Sequence, residues 1–201
     1  MFLDVKDLNP QQCYQALVAA VIPRPIAWIS TISASGVLNL APYSFFTVAS
    51  CQPLVLSVTQ ILPRDLQHKD TLTNLQQTGE CVVNIVDQDA VELMNATCAN
   101  FPADVDEFDV VAVPKVESKL VQVPGVAISP VRFECKLRQI ITISDQPMGG
   151  SMMLLDVLAI HSADSCSSEQ QILTEKINAV GKMGGSSYST TAASFELRRP
   201  A

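Results

Sequence analysis

The sequence predicts a mainly β domain, a β-barrel carrying a few inserted helices, and three observations point there. From Ile26 onward, short apolar segments rich in Val, Ile, Thr and Phe follow one another between turn residues. Residues 131–137 alternate apolar and polar, continue to Ile143, turn through 145–150 and return over 152–161, the pattern of a long antiparallel hairpin. Helical spacing is confined to two or three short stretches, so helices decorate strands rather than alternate with them.

In chain order, residues 10–20 form a short helix that Pro23 and Pro25 close. Strands are expected over 26–33, 37–40, 46–51, 54–59 and 81–86, with Ser33-Ala-Ser-Gly-Val37 as the Gly-containing link of a hairpin. Asp70 is expected to cap a helix over 71–77, with Leu72 and Leu75 facing inward and Gly79 ending it. Asp87 or Asp89 is expected to cap a second helix running through Val91, Leu93, Met94 and Cys98. Residues 101–130 are punctuated by proline and lack periodicity, a long surface excursion of the kind that is often functional. In the hairpin, Val131, Phe133, Cys135 and Leu137 are expected on one face, with Arg132, Glu134 and Lys136 on the other. No repeat or low-complexity linker divides the chain, so 1–201 reads as one domain.

Composition removes several function classes. The 201 residues are 48% apolar and 16% charged, against about 25% charged in an ordinary soluble domain. The apolar surplus has to enter a core, a subunit interface or a ligand site. Mean hydropathy is +0.25, too high for a disordered chain. No stretch approaches the ~18 apolar residues of a membrane span, since the run 16–22 ends at Pro23. A net charge of −7 without a basic run argues against non-specific nucleic-acid binding, although Arg24, Arg64 and Lys69 could still converge on one anion. Six cysteines form no C-x-x-C, and with only two histidines there is no zinc-type spacing. Cys51, Cys81 and Cys135 lie in apolar runs and read as buried reduced thiols of a cytoplasmic protein. The first residues have neither a basic n-region nor an apolar h-region, so no secretory signal is expected.

Familiar catalytic motifs are missing: no G-x-S-x-G, H-E-x-x-H, P-loop or G-x-G-x-x-G occurs. His161 reads as a satisfied histidine at a strand end and His68 as solvent-exposed. Asp104, Asp106, Glu107 and Asp109 read as a solvated loop. Any chemistry would then be carried by a bound cofactor.

Three polar segments inside apolar surroundings carry the remaining signal. They are Arg24-Pro-Ile-Ala-Trp-Ile-Ser-Thr31 with Asn39-Leu-Ala-Pro-Tyr-Ser-Phe-Phe46, then Arg64 with Lys69-Asp-Thr71, then Gly181-Lys-Met-Gly-Gly185 with Tyr188. Ser30, Thr31, Ser44 and Thr71 offer hydroxyls, and Arg64 and Lys69 offer charge. Lys69-Asp-Thr71 opens a helix, where unpaired N–H groups favour an anion such as a terminal phosphate. Trp28, Tyr43, Phe45 and Phe46 could flank a planar ring. Taken singly, each segment also has a plain reading: Ser30 and Thr31 as ordinary strand residues, 39–42 as a turn, Lys69 as solvated.

Together and in this order, with Gly36, Pro53, Gly79, Asn84, Asp106-Glu-Phe108 and Glu134-Cys-Lys136, the segments resemble the flavin reductase-like, FMN-binding split-barrel family. That family includes flavoredoxin and the reductase component of nitrilotriacetate monooxygenase. The resemblance spans roughly residues 10–200. It implies a Greek-key split barrel, a homodimer, and one FMN per subunit near the dimer interface. Carried over by position, Ser30, Thr31, Asn39, Ala41, Pro42, Tyr43 and Ser44 would line the flavin, Ser57 and Thr59 would approach it from the next strand, and Arg64, Lys69, Asp70 and Thr71 would hold its phosphate. Lys182 stands where relatives usually carry Arg, and Tyr188 would close over the site or the partner subunit. The implied activity is FMN-dependent NAD(P)H oxidoreduction with hydride transfer at flavin N5. The alternative is an FMN-binding electron-transfer module, flavoredoxin-like, without nicotinamide turnover.

Overall fold

A computed structural model of the protein describes residues 1–63, 69–169 and 171–200. After a single 3-10 turn, α1 (Pro10–Ala20) begins on a capping box. The Asn9 side chain accepts from the Gln12 N–H at 3.0 Å, and Gln12 Oε1 accepts from the Asn9 N–H at 2.9 Å. The chain continues through β1 (Arg24–Pro25), β2 (Ala27–Ile32), β3 (Leu38–Tyr43), β4 (Phe46–Cys51), β5 (Leu54–Ile61), α2 (Asp70–Thr78), β6 (Glu80–Ile85), α3 (Val91–Ala96) and α4 (Glu107–Val110). Short β7 (Lys115–Val116) and β8 (Gly125–Val126) precede the hairpin of β9 (Val131–Thr142) and β10 (Gly150–Ser162). The chain ends with β11 (Ser167–Ser168), β12 (Gln171–Ile172), α5 (Thr174–Ile177), β13 (Val180–Lys182) and β14 (Tyr188–Thr190).

Seven antiparallel strands form one sheet in the order β3-β2-β6-β9-β10-β5-β4. Its two edge strands, β3 and β4, are consecutive in sequence and joined only through Ser44 and Phe45. Two residues cannot cross a flat seven-stranded sheet, because neighbouring strands are about 4.8 Å apart. The sheet must therefore curl until its edges meet. Across the seam the Tyr43 hydroxyl of β3 donates to Gln60 Oε1 on β5 at 3.3 Å, while the Thr59 N–H donating to Phe45 O at 2.8 Å carries the β4–β5 ladder one residue into the corner. Register shifts in the β9–β10 pair, after Leu154 and after Val157, mark the bulges that help long strands bend.

The barrel interior holds Ala27, Ile29, Leu56, Val58, Cys81, Val83, Cys135, Met153 and Leu155, and α2 sends Leu72 and Leu75 into it. A second core outside β2 collects Trp28, Leu40, Met94, Phe108, Val126 and Val180. β2 is thus buried on both faces, which explains why it reads as a continuous apolar run rather than an alternating one. Trp28 is fully buried there, and its indole N–H donates to Thr97 Oγ1 at 3.0 Å. A three-stranded sheet, β1-β13-β14, lies beside the barrel.

Several expectations from sequence need correction. The N-cap of α2 is Lys69, not Asp70, although Gly79 does end the helix at φ +73°. The second helix stops at Ala96, before Cys98, and Asp87 receives the Ala90 N–H. Residues 39–42 are strand, not turn, with Pro42 on an edge where its missing N–H costs no ladder bond. Cys51 is exposed, while Cys81 and Cys135 are buried directly opposite each other on β6 and β9.

Two acidic residues are the larger departures. Glu107 is buried and accepts the Leu40 N–H at 3.0 Å, whereas Asp106 and Asp109 do face outward and pair with Lys115. Glu134 is only 1% exposed. Its carboxylate accepts the N–H groups of Lys119 at 2.8 Å and Leu120 at 2.6 Å, and His161 Nε2 lies 2.6 Å away. Both faces of β9 are covered at this point, one by the barrel core and the other by the 117–124 segment. His161 is accordingly satisfied at a strand end.

Candidate functional site

The carboxyl end of β3 is surrounded by open space on several sides. A cavity of about 380 Å³ lies between Asn39, Ala41, Pro42, Lys69, Asp70 and the segment 97–103, with Glu107 also on its lining. A second, of about 270 Å³, is bordered by Pro42, Tyr43, Ser44, Thr59, Gln60 and Lys69, with Tyr14 and Phe45 at its outer side. A third, of about 100 Å³, separates Pro42, Tyr43 and Ser44 from Met94, Cys98, Lys182 and Tyr188. All three touch Pro42, and Lys69 borders the two larger ones. They form one cleft wrapped around the β3–β4 corner.

The corner protrudes because the seam forces it to. Strand β3 has its pairing partner β2 on one side only, and the chain must turn within two residues to enter β4. Tyr43 anchors the turn from inside, buried and bonded to Gln60. Burial pushes its phenol well above the ordinary range, so it stays neutral. Beneath Asn39, an amide orientation with its oxygen accepting from Thr71 Oγ1 at 2.9 Å and its nitrogen donating to Glu107 Oε1 at 3.3 Å satisfies both groups. Burial pushes the Glu107 carboxyl above its ordinary value, against the opposing bond from Leu40.

Charge in the cleft is positive at two points. Lys69 is exposed, makes no side-chain bond to the first turn of α2, and has no ion pair with any described carboxylate. Its ammonium lies 5.7 Å from the Tyr43 ring centroid. Lys182 is engaged differently. It donates to Gly185 O at 2.5 Å and Ser187 O at 3.3 Å, and stands 4.2 Å from the Tyr188 ring centroid. Desolvation, then the nearby Arg24 cation, lower its pKa. Tyr188 in turn donates to Asn95 Oδ1 at 3.0 Å, tying β14 to α3.

Of the residues singled out from sequence, Asn39, Ala41, Pro42, Tyr43, Ser44, Thr59, Lys69 and Asp70 border this cleft. Ser30 does not: it is fully buried, and its hydroxyl donates to Pro124 O at 2.7 Å. Thr31 is also buried and accepts from Asn74 Nδ2 at 3.0 Å. Thr71 is fully buried beside Asn39, so its hydroxyl is already used. Ser57 is buried on β5, on the face away from Leu56 and Val58. Arg64 and His68 lie outside the described residues. Arg24 does not join Lys69 as an anion site, because it is buried and committed to backbone carbonyls.

Sequence reasoning did not foresee the wall formed by 97–103 or the buried Glu107. In the first, the sequence places Cys98 in a helix and 101–103 at the start of the irregular excursion, whose length was the only hint. The second carried a misleading signal, four acidic residues close together. Among the described residues no cluster of His, Cys, Asp and Glu could hold a metal ion, and no helix is long and apolar enough to cross a membrane.

Residues 19–171 match the family model described as flavin reductase like domain. An uncharacterized protein of Bacillus subtilis is 35% identical over 197 residues, covering 96% of this chain and 96% of its own. Nitrilotriacetate monooxygenase component B from Bacillus cereus superposes with a TM-score of 0.92 at 30% identity, over 98% of both chains. The 2-nitrobenzoate 2-nitroreductase of Pseudomonas fluorescens superposes with a TM-score of 0.90 at 27% identity, over 100% of this chain and 96% of its own.

Proposed function

The chain belongs to the flavin reductase-like domain family and has its split-barrel fold, and on that premise we propose that it is an NAD(P)H-dependent oxidoreductase binding FMN in the cleft around Pro42. The observation that carries this reading is Lys69. An exposed cation without a described acidic partner stands at the N-cap of a nine-residue helix, at the junction of two cavities. A phosphate monoester requires this combination of mobile positive charge and helix-terminal N–H groups. Beside it, Ala41, Pro42 and the Tyr43–Ser44 backbone offer the weakly polar, flat border that a fused ring system requires.

In this reading Lys69 and the first-turn amides of Asp70 and Thr71 hold the phosphate, with Arg64 as the further expected ligand. Ala41, Pro42, Tyr43 and Ser44 border the ring, with Asn39 and Thr59 at its two ends. Ser30, Thr31, Ser57 and the Thr71 hydroxyl serve as frame, fixing β2, α2 and β5 behind the cleft. The flavin, when bound, supplies hydride transfer with a reduced nicotinamide at N5. The chain's own residues bind, orient and exclude water. Neutral Tyr43 holds the corner through Gln60 instead of moving a proton. No side-chain acid or base is required, in keeping with the missing catalytic motifs. The protein is further proposed to act as a cytoplasmic homodimer.

The test starts with the absorption spectrum of the purified protein and titrations with FMN and FAD, followed by NADH and NADPH oxidation at 340 nm. FMN should bind more tightly than FAD, and K69A should weaken FMN binding by roughly 10- to 100-fold, about 1.5–3 kcal/mol for a charge-assisted contact. A colourless protein that leaves flavin fluorescence unquenched refutes the flavin reading. Tight FMN binding with nicotinamide oxidation no faster than the protein-free control makes it an electron-transfer module instead.

A further inference from the structure

The smallest cavity separates two walls that come from distant parts of the chain: Pro42 and Ser44 at the β3–β4 corner, and Lys182 and Tyr188 on β13 and β14. Behind both walls lies Arg24, only 5% exposed. Its Nη1 donates to Val18 O at 2.8 Å and to Val21 O at 2.9 Å, and its Nη2 donates to Met183 O at 3.1 Å. Its Nε is directed at Ser44 Oγ at a long 3.4 Å, and the guanidinium carbon stands 5.9 Å from the Phe45 ring centroid. A buried cation ordinarily needs a carboxylate partner. Arg24 has none among the described residues and is held by carbonyls instead. Two of these end α1, where the helix dipole places partial negative charge.

The junction is close-packed from the other side as well. Arg24 and Pro25 pair with Lys182 and Gly181. A Cβ on Gly181 would meet the Pro23 side chain at 2.8 Å and Ser189 Oγ at 3.1 Å. The β1–β13 contact therefore has no slack, and the guanidinium is the rigid piece that joins it to the corner.

We propose that Arg24 is a positioning residue of the flavin site, setting the gap between the Ser44 wall and the Lys182–Tyr188 wall and so aiming Ser44 at the bound ring. This rests on the flavin reading above. Lysine is no substitute: an ammonium donates from one point, whereas these acceptors lie on α1, on the turn after β13 and on the corner, and only a planar fork spans them. Arg24 acts through Ser44 and touches no ligand itself.

The experiment is a double-mutant cycle on FMN affinity with R24K, S44A and the double variant, read alongside the visible spectrum of bound flavin and the melting temperature. R24K should raise the FMN Kd about tenfold or more and shift the flavin bands in the same direction as S44A. The double variant should bind no worse than R24K alone. R24Q, which keeps a two-donor end of smaller size, is the companion variant should R24K fail to fold, and should show the same non-additivity. Effects that multiply in the double variant overturn the proposal. So does a variant that loses melting temperature while FMN affinity and spectrum stay as in the wild type. Absence of FMN binding by the wild type overturns the flavin reading and this inference with it; binding with additive effects overturns this inference alone.

Discussion

Replacing Glu134 by alanine tests the most surprising side chain in the barrel wall. In the native protein its carboxylate accepts two backbone N–H groups from the 117–124 segment and lies 2.6 Å from His161. Hydrogen bonds to a charged group contribute about 1.5–3 kcal/mol each. Lys119 and Leu120 are exposed, so their freed amides recover part of that from water. His161, whose side chain is 21% exposed, recovers part as well. The net cost should be about 2–4 kcal/mol, including the small void left behind. For a chain of this size each kcal/mol moves the melting temperature by roughly 2–4 °C, so E134A should melt roughly 4–16 °C lower.

A second variant separates charge from shape. Burial opposes ionisation of Glu134, but the Lys119 and Leu120 amides together with His161 outweigh it and hold the carboxyl below its ordinary value. A lowered folded pKa means that this stabilisation is complete above the unfolded glutamate pKa of about 4.3 and is lost as pH falls through the folded value. The melting-temperature gap between wild type and E134Q should therefore be full at pH 7 and close as pH drops below about 4. Differential scanning calorimetry from pH 7 to pH 3 measures both effects. An E134A protein melting within about 1 °C of wild type at pH 7, or a gap to E134Q that persists unchanged to pH 3, would refute the reasoning.

A thiol reagent at neutral pH should modify the exposed Cys51 rapidly, Cys13 and Cys98 more slowly, the latter because burial pushes its thiol pKa up, and Cys81, Cys135 and Cys166 only after denaturation; peptide mapping that finds Cys81 or Cys135 labelled at the rate of Cys51 contradicts their burial. The apolar groups left exposed by α1, by the two residues that follow it and by β4, Leu17, Val21, Ile22 and Val48 among them, should be covered by a second copy. Size exclusion should then give twice the 21.7 kDa chain mass, and a monomer at all concentrations would remove the dimer.

Much of the fold was readable residue by residue because its signals are local. Asn9, Pro10 and Gln12 cap α1 within one turn, so its bounds are those the sequence predicts. The β9–β10 hairpin follows from alternation and the turn between, and Gly79 ends α2 through its own backbone preference. The cleft was half legible. The segment Asn39–Ser44 and Lys69 stood out as polar groups among apolar ones, and the structure brings them to one corner.

What the sequence could not decide was which side of a doubly covered strand each polar group would face, and what would cover it. Ser30, Thr31 and Thr71 have the same hydroxyl chemistry as Ser44, yet the first three are consumed by Pro124, Asn74 and Asn39 while Ser44 borders the cleft. Glu134 obeys its alternation and is buried all the same, because a distant loop folds over the outer face. Arg24 reads as a candidate anion ligand, yet it folds back on the Val18 and Val21 carbonyls just before it, and the distant turn after β13 brings Met183 O to its other amino group. By itself the sequence determined the elements, whose hydrogen bonds and apolar periodicities are satisfied within a few residues. The tertiary structure alone decided which polar groups stay available to a ligand, since that depends on which distant donors and acceptors reach them when the seven strands close.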